Sequence, residues 1–160
     1  MKNFSPPQVN GFDVCFSTES KVPTFDPMLR PKGNNGKKCW DPAKENGPYG
    51  TGYWDEKGKR VTQNLRGDNS RVIMDRAIPF IRTAAKNKKP FFTIVWFHTP
   101  HLPVVAGPKH TRLYAKHGKY AQHYYGCITA MDEQVGRLRT ELRALGVANN
   151  TLLTFCSDNG

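Results

Sequence analysis

Apolar residues are distributed unevenly along this chain. From residue 69 to residue 160 they recur in dense, periodic segments, whereas residues 1–68 read as Gly, Pro, Asn and Lys with scattered aromatics. In the second region, Asp68, Asn69 and Ser70 are N-cap residue types. Val72, Ile73, Ala77, Phe80, Ile81 and Ala84 follow them at helical spacing, which predicts a helix from about residue 69. Pro79 falls inside this helix, removes one backbone hydrogen bond and predicts a kink. After Lys88-Lys89-Pro90 comes Phe91-Phe92-Thr93-Ile94-Val95-Trp96-Phe97, an apolar run without alternation, as expected of a strand buried on both faces.

Residues 99–118 carry three prolines and read as a loop. A second helix is predicted from about Tyr120 to Leu145. There Ile128, Met131, Val135, Leu138, Leu142 and Leu145 step by three and four to make one apolar stripe, and Gly146 stops it. Asp132 and Glu133 lie beside that stripe and are expected to be exposed. Thr151-Leu152-Leu153-Thr154-Phe155-Cys156 then reads as a second buried strand. Strand, helix, strand is the alternation of a parallel α/β sheet, whose chemistry gathers at the carboxyl ends of its strands. By contrast, Pro6, Pro7, Pro23, Pro27, Pro31, Pro42 and Pro48, with Gly33–Gly36, interrupt regular structure before residue 69. The pattern divides one incomplete domain into a loop-rich excursion, 1–68, and an α/β core segment, 69–160. Tyr53-Trp54 is a candidate edge strand in the excursion.

Composition changes this picture in one respect. The 160 residues carry 24 Lys and Arg against 13 Asp and Glu, a formal charge of +11, with 38% hydrophobic residues. Such a charge attracts polyanions of any kind, and the cations are dispersed rather than aligned on one helix. No specific nucleic-acid reader is implied, because there is no aromatic–basic pattern of the RNA-binding type. No apolar run reaches membrane-spanning length. Cys15, Cys39, Cys127 and Cys156 show no Cys-x-x-Cys spacing, which argues against structural zinc. Cys127 and Cys156 read as small buried hydrophobes, while Cys15 and Cys39 can pair if the protein is exported.

Two constellations can do chemistry. Ser157-Asp158-Asn159-Gly160 follows a predicted strand and offers two hard oxygen donors of the calcium- or magnesium-binding sort. The same residues are also ordinary turn formers. Phe97-His98-Thr99-Pro100-His101-Leu102-Pro103 makes a rigid loop that can hold an imidazole at a fixed point. His101, between two prolines, is the functional candidate. His98 is the one expected to cap the strand end or bond a carbonyl. Lys109-His110 and Lys116–Lys119 read as a solvated basic face.

Residues 90–160 resemble the sulfatase family. The matching stretches are Pro90-Phe91-Phe92 leading to His101-Leu102-Pro103, then Tyr124-Tyr125-Gly126 with Ala130–Gly136, and Asn150-Thr151-Leu152 running to Ser157-Asp158-Asn159-Gly160. Gly11-Phe12-Asp13 extends the resemblance over most of the chain, and it is weakest over 30–68. The resemblance implies an alkaline-phosphatase-like α/β core, a divalent cation that is usually calcium, and a formylglycine made from a Cys/Ser-x-Pro-x-Arg motif. It implies that Asp158 and Asn159 are a metal-ligand pair and that His101 contacts the sulfate. The substrate implied is a sulfated small molecule or polysaccharide, and the longer parent protein is one that is exported. The Cys/Ser-x-Pro-x-Arg motif is absent here, as is the family's N-terminal Asp pair. A piece of a sulfatase, inactive alone, is therefore the expectation. A phosphodiesterase or phosphonate hydrolase on the same scaffold and a non-catalytic polyanion-binding module are the rival readings.

Overall fold

The structure, a computed structural model, describes residues 7–18, 22–26 and 52–158. Its N-terminal part is held by short antiparallel pairings. Strand β1 (Phe16–Ser17) pairs with β3 (Tyr53–Asp55), which pairs in turn with β4 (Arg60–Val61). Strand β2 (Phe25–Asp26) pairs with β5 (Gly67–Asp68). The edge strand expected at Tyr53-Trp54 is β3, a central strand of three. Its Tyr53 ring stacks on Phe16 at 4.6 Å, and Val22, Tyr53 and Val72 form a buried cluster beneath it.

Helix α1 (Asn69–Lys86) starts where the sequence placed it. Asp68 is its N-cap, its Oδ1 accepting from the Arg71 amide at 3.1 Å. The helix runs through Pro79 as one element, with the proline exposed and the Thr83 hydroxyl bonded to the Pro79 carbonyl at 2.9 Å. Its buried apolar residues are Val72, Met74, Ile78 and Ile81, while Ile73, Ala77 and Phe80 are half-buried. Its buried side is therefore rotated from the stripe that spacing predicted, because strands and α3 meet it from different sides.

A four-residue helix, α2 (Pro108–Thr111), and a 3-10 turn over Arg112–Tyr114 interrupt the predicted loop. Helix α3 (Lys119–Ala144) follows. Gly146 ends it at φ +72°, its amide donating to the Arg143 carbonyl and the Val147 amide to the Leu142 carbonyl, a Schellman closure. Only Leu142 of the predicted stripe is buried outright. The N-terminal half seats itself instead through His123, Gly126, Cys127 and Ala130. A Cβ on Gly126 would stand 2.8 Å from Ala106 Cβ, so glycine is what lets α3 lie against residues 104–110. Arg82 of α1 clasps Glu141 of α3 in a two-pronged ion pair at 2.6 and 3.0 Å. Among the described residues, no helix is long and apolar enough to cross a membrane.

The expected parallel sheet does not form a ladder here. Residues 91–97 and 151–156 join no strand ladder among the described residues, so the regular structure seen is mixed α/β with small antiparallel sheets. A strand exists only with a partner to receive its N–H and C=O groups. Residues 91–97 nevertheless alternate. Phe91, Thr93, Val95 and Phe97 are half-buried, whereas Phe92 and Trp96 are 74% and 82% exposed. In the second run Leu152 and Phe155 are exposed, and so is Cys156, against the expectation of a buried thiol.

One buried hydroxyl ties the two halves together. Thr24 Oγ1 donates to the Val105 carbonyl at 2.6 Å and accepts from the Val105 amide at 2.7 Å, across 81 residues of sequence. Replacing Thr24 with Val keeps the shape and strands both backbone groups in a dry site. The expected loss is about 2 to 4 kcal/mol, read from the midpoint of denaturant unfolding. An unchanged midpoint would mean that the tie does not hold the fold.

Candidate functional site

Residues 98–107 leave the end of the extended 91–97 run as a loop held at many points. Both X-Pro bonds, Thr99–Pro100 and Leu102–Pro103, are cis. The His98 carbonyl accepts the His101 amide at 2.6 Å, closing the turn that presents His101. Thr99 is buried, with its hydroxyl 3.3 Å from Ser70 Oγ at the start of α1. Downstream, Val104, Val105 and Ala106 are essentially inaccessible. Thr24 holds Val105, and the Ala106 amide donates to His123 Nδ1 at 3.0 Å. Since His123 Nδ1 accepts, the proton of the neutral ring sits on Nε2.

The loop leaves His101 outside. Its ring is exposed, and Nδ1 lies 2.6 Å from the Leu102 carbonyl. A carbonyl only accepts, so Nδ1 carries the hydrogen of this contact and Nε2 is the ring's other nitrogen. His101 bonds a carbonyl, and this contact orients its ring. His98 is half-buried. Burial first, and the neighbouring His101 second, hold its pKa below the ordinary histidine value, which favours a neutral ring.

The oxygen donors are less complete. Asp158 is exposed in a bend that follows the extended 151–157 run, and Asn159 lies outside the described residues. Among the described residues no hydrogen bond or ion pair joins Asp158 to His101, and no group of three His, Cys, Asp or Glu is placed to hold a metal. The donor chemistry suits a hard cation. The number does not, since calcium takes about six to eight oxygens.

The loop, the helix behind it and the closing run follow one another in a familiar order, and the family comparison agrees with that order. A family model described as Sulfatase matches residues 11–160. The chain belongs to the sulfatase family. Among its relatives, the Ulvan-active sulfatase of Formosa agariphila is 31% identical over 106 residues, which is 56% of this chain and 21% of that protein. The rat N-acetylgalactosamine-6-sulfatase is 30% identical over 57% of the chain and 16% of its own length. The Endo-4-O-sulfatase of Bacteroides thetaiotaomicron is 22% identical over 89% of the chain and 32% of its own length. The chain therefore spans between 16% and 32% of the length of these relatives.

Several polar residues of this sulfatase chain have roles that sequence reading did not assign. His110 is buried rather than on a solvated face, with Nε2 3.1 Å from Glu133 Oε2. Lys109 grips the same carboxylate at 2.7 and 2.9 Å. The Lys109 ammonium, with His110 behind it, holds Glu133 below the usual carboxylate range. Glu133 is exposed, as expected, and it locks α2 onto α3. Cys127 is fully buried, and burial, with Asp68 adding to it, pushes its thiol up to about 12, so it is inert. Cys15 is a free thiol accepting from Gln8 Nε2 at 2.9 Å, and Cys39 lies outside the described residues.

Asp68 is the most perturbed acid of this region. Burial raises it to about 6, against the lowering effect of its bond to the Arg71 amide, and its Oδ2 has no hydrogen-bond partner among the described residues. A carboxyl raised on folding binds a proton that the unfolded chain has already released. Stability therefore falls as pH rises from about 4 through 6, and levels off above that. Asp68→Asn keeps the helix cap and removes the titration. The variant should be more stable than the native protein by on the order of 2 kcal/mol at pH 7.5, with the gap closing toward pH 4. Paired thermal melts across that range check it, and a gap independent of pH contradicts the assignment.

Proposed function

We propose that this chain forms part of a hydrolase of sulfate esters and contributes its sulfate-contacting histidine. The observation that carries the reading is His101. In a chain matched to the sulfatase family over residues 11–160, its Nδ1 is fixed by the Leu102 carbonyl and the residue is exposed. In the imidazolium form both ring nitrogens carry hydrogen, and a sulfate monoester brings negative oxygens to meet the one on Nε2. The second proton then donates to a sulfate oxygen while Nδ1–H stays on the carbonyl, so the ring meets the anion without reorienting. Hydrolysis breaks a bond between sulfur and oxygen and shifts charge among those oxygens, and a donor already aimed at them stabilises that shift.

In this reading Asp158 and Asn159 give oxygen ligands to a divalent cation, calcium before magnesium, which when bound neutralises charge on the sulfate. The 91–97 and 151–156 runs are neighbouring parallel strands of an alkaline-phosphatase-like sheet, and the exposed Phe92, Trp96, Leu152 and Phe155 are faces covered in it. Residues 1–68 are an excursion over the core segment 69–160. The substrate is a sulfated saccharide, small or polymeric, in keeping with relatives whose names specify ulvan and N-acetylgalactosamine 6-sulfate.

The nucleophile in this reading is a formylglycine, and none of the 160 residues lies in a Cys/Ser-x-Pro-x-Arg motif that would yield one. The purified 160-residue chain is accordingly expected to leave 4-methylumbelliferyl sulfate intact, and turnover well above blank would refute the division of labour. In the full-length protein, His101→Ala should lower kcat/KM by about 100-fold or more. A variant within a factor of two of native would end the assignment of His101.

A further inference from the structure

The chain concentrates one kind of chemistry beyond its reactive loop. All five histidines lie between His98 and His123, four of the six tyrosines are Tyr114, Tyr120, Tyr124 and Tyr125, and no Asp or Glu occurs from residue 98 to residue 131. Lys109, Arg112, Lys116 and Lys119 share this acid-free stretch. The tyrosines sit together where the 3-10 turn meets the start of α3. Tyr120 and Tyr124 stack at 6.1 Å and 22°, Tyr125 meets Tyr124 edge-on at 5.9 Å, and Tyr114 and His117 pack on Tyr125 at 5.4 and 5.5 Å. The Tyr114 hydroxyl bonds Thr129 at 2.7 Å, which fixes the back of the cluster.

The front is uncovered. Tyr120 and Tyr125 are 44% and 42% exposed, and His117 and Lys116 are exposed beside them. The cluster is also joined to the reactive loop. Tyr124 and Leu102 pack on the same buried group of Val104, Ala106 and Cys127, and Leu102 is the residue whose carbonyl holds His101. Rigid rings presented to water beside cations, with no acid among them, suit a pyranose ring that also bears sulfates. Its C–H face lies on the aromatic ring and its sulfate meets the cation.

We propose that Tyr120 and Tyr125, backed by Tyr124 and flanked by Lys116 and His117, bind the sugar residue adjoining the one whose sulfate His101 contacts. This rests on the reading of the chain as a sulfatase segment and specifies its substrate as a saccharide longer than one unit. The platform distinguishes sulfated sugar from anions that lack a sugar face.

The test measures binding by calorimetry in the full-length protein carrying His101→Ala, so that bound ester persists. The probes are dextran sulfate, unsulfated dextran and inorganic polyphosphate. Tyr120→Ala with Tyr125→Ala should weaken dextran sulfate binding about tenfold and leave polyphosphate within about a factor of two. The double Phe variant, which keeps both rings, should bind as the native tyrosines do and serves as the folding control. Lys116→Gln should weaken both anions by a similar factor of about two to five. The proposal is overturned if the double Ala variant binds dextran sulfate normally, or loses both anions equally. The hydrolase reading is scored separately, by turnover of 4-methylumbelliferyl sulfate in protein with His101 intact. Failure there alongside ring-dependent dextran sulfate binding removes the chemistry and keeps the platform.

Discussion

The His-Pro loop depends on one pair of hydrogen bonds made by a threonine far from it in sequence. Thr24 is wholly buried, and its hydroxyl satisfies both backbone groups of Val105. The Thr24 carbonyl receives the Asn69 amide at the start of α1, and its amide reaches the Pro103 carbonyl at 3.4 Å. A segment as dry as Val104–Ala106 cannot leave its polar backbone to water. Thr24 and His123 supply what a sheet would otherwise supply. Because these anchors grip residues 103–106, the preceding turn is tethered a few residues from His101. A histidine on a free loop would wander, whereas this one has its ring aimed by the Leu102 carbonyl and its backbone held on the near side.

The helices were legible in the sequence because their signals are local. An Asp at the cap, apolar residues at three and four, and a glycine with positive φ at the end are read within one stretch of chain, and α1 and α3 fall where those signals lie. The His-Pro loop was visible for the same reason. What escaped was whatever depends on a distant partner. His110 looked like part of a basic surface, yet Glu133 claims it across 23 residues, and the role of His123 as acceptor of the Ala106 amide, across 17 residues, had no local signal. The rotated buried side of α1 and the absence of a ladder along 91–97 have the same origin, since packing neighbours and strand partners are not encoded in periodicity. Half of the candidate site was legible in residue type. The placement of the candidate residues relative to one another was not, because it depends on sheet geometry.

Charge and aromatic content tell a related story. A surplus of cations scattered through the chain looked uninformative, and over much of it that holds. The stretch from Arg76 to Met131 contains no acid and is the exception, and it takes in most of α1, the His-Pro loop, α2 and the first turns of α3. There the positive residues are unopposed in sequence; of the acids that reach in, Glu133 comes from farther along α3 and is spent on Lys109 and His110, and the buried Asp68 acts on His110 and Cys127. An anion approaching this side meets few competing carboxylates, which raises its local concentration before any specific contact forms.

The 81-residue separation of Thr24 and Val105 has a kinetic corollary. Helices α1 and α3 close on contacts within their own turns, whereas the Thr24 tie must first shut a long loop, whose closure entropy rises with its length. Loop-closure entropy thus favours helices that close on local contacts ahead of the Thr24 tie, and with that tie the anchoring of the His-Pro loop.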